Sequence, residues 1–242
     1  MDFLQKEFTI RHHEAGPEGT LRTASLFDMF QDAAAEHAEN LGCGMTFLQK
    51  RSFLWVLSRI ALEVRRMPAI GETVTVETYP TGVERLFALR QFTVTDSGGE
   101  VLARATSCWL ILSADTFHPQ RIEKTLDITL PPNADKPRHF AVPDRAAPLP
   151  ENAAELRYTV RASQIDVNRH LNNAYYAAFV HDMLAELTGV NRGPESLQIF
   201  FQHAGPLGAE IVCRGGLVDG EFRIEGRSPD GGTLYFQAQG RR

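Results

Sequence analysis

Between Asp166 and Asn173 the chain reads Asp-Val-Asn-Arg-His-Leu-Asn-Asn, which sets a carboxylate, amides and an imidazole side by side. These residue types at this spacing suit hydrolysis. His170, with an ordinary pKa near ~6.5, can accept a proton at neutral pH. Asn168 can hold water or substrate through its amide, and Asp166 can orient a neighbouring amide or imidazole. Behind the octet, Ala174 to Leu187 is strongly apolar, carries Tyr175, Tyr176, Phe179, Met183 and Leu184, and stops at Gly189, as a buried helix should. The polar groups therefore gather at a helix N-terminus. Unpaired backbone N–H groups near Asn172 and Asn173, and the positive end of the dipole, favour an oxygen acquiring negative charge there. Taken singly, Asp166 and Asn168 read more readily as turn or capping residues that bond local backbone than as catalysts, and Asn172 and Asn173 suit a cap better than chemistry.

The elements that must position this octet fall into two similar sets. Seven of the thirteen prolines, at 119, 131, 132, 137, 143, 148 and 150, lie in a stretch without sustained apolar periodicity. That stretch, 115–152, reads as a connector between an N-terminal unit, 1–114, and a C-terminal unit, 153–242. In the first unit the pattern predicts a strand at 6–11 and a helix at 23–41, with Leu26, Phe30, Ala33, His37 and Leu41 at helical spacing. Strands follow at 54–64, 73–79, 86–95 and 101–112, with Ser97-Gly98-Gly99 as a hairpin turn. The second unit repeats the order: a strand at 155–162, a helix at 173–187, and strands at 197–202, 210–218, 222–227 and 234–239. The repeat reads as structural rather than literal. An antiparallel sheet wrapped around one long apolar helix, present twice, is an α+β arrangement: the hot-dog fold in tandem.

Composition narrows the function classes. At 242 residues and 43% hydrophobic, the chain can bury a sizeable core. A net charge of −5 and a pI near 5.9 leave no footprint for nucleic acid. No apolar run approaches the roughly 20 residues needed to cross a bilayer, and the start lacks a signal-peptide pattern, so a cytoplasmic location is the default. Cys43, Cys108 and Cys213 are widely spaced without a C-x-x-C pair, so they read as buried free thiols rather than a disulfide framework or zinc site. His12, His13, His118, His139 and His181 have no partners at metal spacing, and no metal or other cofactor is expected. His37 reads as a buried, hydrogen-bonded histidine.

Several separated motifs in the right order resemble the acyl-acyl-carrier-protein (acyl-ACP) thioesterases of double hot-dog type. They are Leu26 to Ala34, Trp55-Val56-Leu57-Ser58-Arg59, Gly71 to Thr78, Arg85-Leu86-Phe87-Ala88, Trp109 to Leu112 and, above all, the D-x-N-x-H-x-N-N of residues 166–173. The resemblance implies hydrolysis of a thioester by activated water, without metal or redox cofactor, with acyl carrier protein as partner. It makes Asp166, Asn168 and His170 the polar catalytic set. One strand later the family has a glutamate, often followed by cysteine, where this chain has His203 and Ala204. His203 is then either a replacement base or a hydrogen-bonding partner of His170. The N-terminal half is expected to hold the acyl chain, with Leu26, Met29, Phe30 and Trp55 as candidate lining, although the same spacing suits plain core packing. An acyl-CoA thioesterase of the same fold and a non-catalytic acyl-thioester binding protein are the alternatives. Both a monomer and a homodimer fit.

Overall fold

The computed structural model describes residues 2–142 and 146–242; Met1, at the chain start, and Pro143, in the expected connector, lie outside the described residues. The chain opens with β1 (Leu4–Thr9) and, after a single 3-10 turn, α1 (Thr23–Asn40). Of the series predicted by spacing, α1 buries Leu26, Phe30, Ala33 and His37, with Phe27 and Ala34 beside them, while Leu41 is the C-cap and only half-buried. Gly42, with φ +76°, lets the chain leave that helix at a left-handed position. A one-turn helix, α2 (Met45–Gln49), follows; five residues are too few to show a period, so the sequence pattern does not reveal it.

Four long strands complete the first half: β2 (Phe53–Val64), β3 (Thr73–Glu84), β4 (Phe87–Asp96) and β5 (Val101–Ser113). β3 runs past its expected end at Tyr79 because an irregularity between Pro80 and Val83 absorbs the proline, which has no N–H to give to the ladder. A register shift in β2 between Leu57 and Arg59 explains why its apolar alternation is imperfect. The expected connector contains a two-residue strand, β6 (Pro119–Gln120), paired with β5, and a short helix, α3 (Ile122–Thr125). Beyond them the connector is held by both halves: Ala147 donates its N–H to Gln239 Oε1 and Pro148 O accepts from Arg223 Nη1, while residues 133–140 are pinned to the first half. Asn133 Nδ2 donates to Pro80 O, Tyr79 Oη donates to Pro137 O, and the Phe140 N–H donates to Thr106 Oγ1.

The second half runs β7 (Ala154–Thr159), another 3-10 turn, α4 (Asn173–Thr188), β8 (Ser196–Phe201), β9 (Glu210–Val218), β10 (Glu221–Arg227) and β11 (Leu234–Arg241). All pairings are antiparallel, in the order β1-β3-β4-β5-β2-β8-β11-β10-β9-β7. The halves join where β2 meets β8, from Arg59 opposite Phe200 to Glu63 opposite Ser196. α1 and α4 pack against each other across that junction. The fold is the α+β double hot-dog that the sequence pattern predicts. Its larger apolar cluster is shared by both halves, with Phe30 stacked on Phe92 in one and Phe179, Met183 and Phe236 in the other. A smaller cluster belongs to the first half and connector, where α2 and α3 cover Ala88 and Ile111 with Leu48 and Ile122.

The β8–β11 ladder tolerates no side chain at Gly240, because a Cβ there would sit 2.0 Å from the Ser196 carbonyl oxygen. Gly240→Ala is expected to lower unfolding stability by about 1–3 kcal/mol through forced backbone displacement. Urea denaturation measures this, and an unchanged midpoint would show that the strand end yields freely.

Candidate active site

The octet folds as a tight turn rather than an extended loop. The Asp166 N–H donates to His170 O at 2.9 Å and the Arg169 N–H to Asp166 O at 3.0 Å, with Arg169 left-handed at φ +63°. Asp166 Oδ1 then accepts from the backbone N–H of Asn168 at 2.8 Å and of His170 at 3.3 Å. The carboxylate thus orients the backbone that carries Asn168 and His170, and no described hydrogen bond joins it to the imidazole. Buried Leu171 anchors the turn by donating its N–H to Gly205 O at 2.9 Å. Gly205 in turn donates its N–H to Tyr176 Oη at 3.1 Å, and burial pushes that phenol up to about 12, so it stays protonated.

Asn172 is the N-cap of α4: its Oδ1 accepts from the Ala174 N–H at 2.9 Å, satisfying one of the helix's free donors. The same oxygen accepts from Gln31 Nε2 of α1 at 3.1 Å, so a side chain of the first half braces the start of the second helix. Both backbone amides near 172 and 173 were expected to be open to an oxyanion, and only one is. The Asn172 N–H is spent on Gln164 O, whereas the Asn173 N–H has no bond among the described residues. In the sequence Gln31 shows only as a polar side chain beside the apolar face of α1.

His170 is half-buried, and its ring lies edge-on to Phe117, with centroids 6.4 Å apart and planes at 78°. Neither the imidazole nor the Asn168 amide makes a hydrogen bond to the described residues. His203 is exposed two residues beyond β8, and its Nδ1 lies 2.8 Å from Leu234 O. A carbonyl only accepts, so Nδ1 carries the proton and Nε2 is the basic nitrogen of the neutral ring. That bond goes to Leu234 and not to His170, the other expected partner. The two histidines instead flank the Leu171–Gly205 hydrogen bond.

The four expected lining residues do not form one group. Leu26, Met29 and Phe30 are buried in the larger cluster, whereas Trp55 packs on the smaller one and donates Nε1–H to Cys43 O at 2.8 Å. His37 is buried as expected, 3.0 Å by Nδ1 from Arg90 Nη1. All three cysteines are free and buried.

The sequence matches the family model described as acyl-ACP thioesterase N-terminal domain over residues 2–128, and the corresponding C-terminal domain over 148–217. The chain belongs to the acyl-ACP thioesterase family. It is 26% identical over 199 residues to the chloroplastic oleoyl-acyl carrier protein thioesterase 1 of Arabidopsis thaliana, covering 75% of this chain and 55% of that one. It is 29% identical over 189 residues to the chloroplastic palmitoyl-acyl carrier protein thioesterase of Cuphea hookeriana, covering 73% and 46%. The chain spans about half the length of the curated relatives it matches. In fold it is similar to an acyl-ACP thioesterase from Bacteroides thetaiotaomicron (TM-score 0.84, 23% identity, 98% and 96% of the two chains). It is also similar to the 12:0-ACP thioesterase from Umbellularia californica (TM-score 0.78, 22% identity, 99% and 96%).

Within this acyl-ACP thioesterase fold the 166–171 turn has a double in the first half, closer to literal repetition than the sequence pattern suggests. Gly16 and Thr20 repeat the backbone bond of Asp166 and His170, Gly19 repeats the left-handed Arg169, and the Ala15–Leu21 bridge repeats Ile165–Leu171. Around these turns Thr9-Ile10-Arg11 matches Thr159-Val160-Arg161. The chemistry is absent from the double, with Gly16, Glu18 and Thr20 standing for Asp166, Asn168 and His170. Arg66, two residues beyond β2, stands where His203 does, and grips Glu72 through two 2.8 Å bonds. Arg66 and the Ala69 N–H hold the Glu72 carboxyl down at about 2. A cleft of about 230 Å³ beside Thr20 and Arg66 therefore marks the double, not the octet.

If Asp166 works by building the turn, Asp166→Asn, which keeps an accepting oxygen, is expected to retain most stability. Asp166→Ala, which removes both bonds, should cost about 1–3 kcal/mol. Chemical denaturation of the two variants checks this, and equal losses would transfer the role from the acceptor to the negative charge.

Proposed function

We propose that this protein hydrolyses fatty acyl-ACP thioesters, releasing free fatty acid and the carrier thiol. The observation that carries the reading is the D-x-N-x-H-x-N-N turn, which presents His170 at the N-terminus of α4 in a chain matching both domains of the family. A thioester carbonyl is already electrophilic, so the site has to place a water, take its proton and receive the negative oxygen. In this reading the Asn168 amide holds the water and His170 takes its proton as the water oxygen bonds to the carbonyl carbon. The Asn173 N–H, at the positive end of α4, receives the oxyanion. Collapse breaks the carbon–sulfur bond, and the thiolate leaves with the proton that His170 returns. His203 Nε2 is a second base in the place of the family glutamate.

We further divide the chain into an acyl-holding half, 1–114, a connector, 115–152, and a catalytic half, 153–242. The smaller cluster, with Trp55, is the better candidate for the acyl chain than Leu26, Met29 and Phe30. It lies at the base of the hairpin that carries Phe117 to His170, with Phe53 and Ile111 as neighbours. Buried free thiols agree with action in the reducing cytoplasm. One chain holds both halves of the paired sheet, which supports a monomer as the working unit.

Thiol release from one acyl chain carried on ACP and on CoA tests the reading. Preference for the ACP substrate is expected, with His170→Ala slower by about 100-fold or more. A strong CoA preference would make the protein an acyl-CoA thioesterase, and no release above the His170→Ala control would make it a binding protein. For His203, loss of turnover in His203→Ala with recovery in His203→Glu supports the base, while wild-type turnover in both assigns it to structure.

A further inference from the structure

We infer that Phe117 is a positioning residue of the catalytic site, supplied by the hairpin between β5 and β6. Its ring orients the His170 imidazole and walls the mouth through which the thioester arm enters. The inference rests on the reading of His170 as the base. Three independent observations carry it. The Phe117 ring meets His170 edge-on, at 6.4 Å between centroids, and belongs to neither apolar cluster of the interior. Its backbone is left-handed, with φ +55°, a conformation that glycine or asparagine adopts readily and an aromatic residue rarely does. Finally, it is 56% exposed.

The hairpin does not need the ring. Its turn is closed by the Phe117 N–H on Ser113 O at 2.9 Å and the Ser113 N–H on His118 O at 3.1 Å, both of which any residue could supply or permit. Its base is tied to the first half by the Ala114 N–H on Ser52 O at 2.8 Å. A strained backbone that holds a large apolar side chain in solvent, against one catalytic candidate, has no return in core packing. Strain of this kind gathers at functional sites.

The surroundings point the same way. Seven large hydrophobic side chains are exposed among the described residues, and three are tied to this one turn. Val167, 74% exposed, lies inside it. Leu207, 63% exposed, is two residues beyond Gly205, whose carbonyl holds Leu171. Phe117, Val167 and Leu207 thus offer an apolar rim around a polar centre, which suits an arm of methylene and amide groups passing to a buried thioester carbonyl.

The test separates strain from function. Phe117→Gly, Phe117→Ala and Phe117→Tyr are compared by thermal unfolding, by kcat and KM on acyl-ACP, and by the imidazole proton resonances of His170. In Phe117→Gly the melting temperature is expected to hold or rise, while kcat falls about threefold to tenfold. Phe117→Tyr keeps the ring and should retain the wild-type kcat. The His170 resonances should move when the ring current is removed, in Phe117→Gly and Phe117→Ala alike. Wild-type kcat in Phe117→Gly, or a loss of activity that simply follows a loss of melting temperature, would overturn the proposal. The resonances need no turnover. If the wild-type protein releases no thiol, the functional reading fails while the Phe117–His170 contact is still judged, and unmoved resonances sink that contact on their own.

Discussion

Everything at the candidate site depends on the five residue pairs that join β2 to β8, from Arg59–Phe200 to Glu63–Ser196. Each half alone would end its sheet at an unpaired strand, a row of open N–H and C=O groups prone to pairing with another chain. Joining the two edges satisfies both rows at once. It also brings α1 beside α4, and from that contact come the Gln31 bond to Asn172 and a core that draws on both halves. The candidate turn therefore belongs to the second half by sequence, and to the whole chain by support.

The two turns show how little of such a site is fixed by its backbone. Gly16 to Leu21 and Asp166 to Leu171 make the same bonds, include the same left-handed residue and hang from the same type of bridge. The shared parts, Arg11 with Arg161 and Leu21 with Leu171, start the 3-10 turn ahead of it and bury its end. The side chains between them are free to differ. In the second half they carry an acceptor, an amide and an imidazole; in the first, Arg66 and Glu72 lock the equivalent place into an ion pair. An ion pair at the surface contributes little to stability, but it occupies with opposite charges the position where a base would stand. Repetition of the fold leaves each half free to fill the same backbone with different side chains.

The octet, both long helices and the order of strands were legible because each has a local signature: a spaced polar motif, a 3.6-residue period, or alternation bounded by Gly and Pro turns. What escaped was set by contacts distant in sequence. Gln31 has meaning only beside Asn172, and Phe117 only beside His170, so no window along the chain contains either pair. α2 and α3 are too short to show a period. Asp166 was legible both as a turn residue and as an orienting partner of an imidazole, and the left-handed turn at Arg169 decides for the turn by bringing two backbone amides to its carboxylate. The separation of Trp55 from Leu26, Met29 and Phe30 was equally hidden, because all four are apolar at spacings that fit one pocket.

That separation has a physical cause inside the first half. Buried Arg90 donates from Nη1 to Thr78 Oγ1 at 3.1 Å and lies 3.0 Å from His37 Nδ1, while Ser107 Oγ donates to the Arg90 carbonyl and accepts from Trp109 Nε1. Burial pulls the guanidinium down to about 10, which still leaves it charged at neutral pH. A buried cation costs several kcal/mol in desolvation and is tolerated only where polar groups surround it. The groups described around it come from α1 and β3, while Ser107 of β5 engages its backbone carbonyl, and this polar seam lies in the half that has two clusters where the second half contributes to one. Trp109, with its indole N–H in this seam and its ring against both clusters, spans the gap.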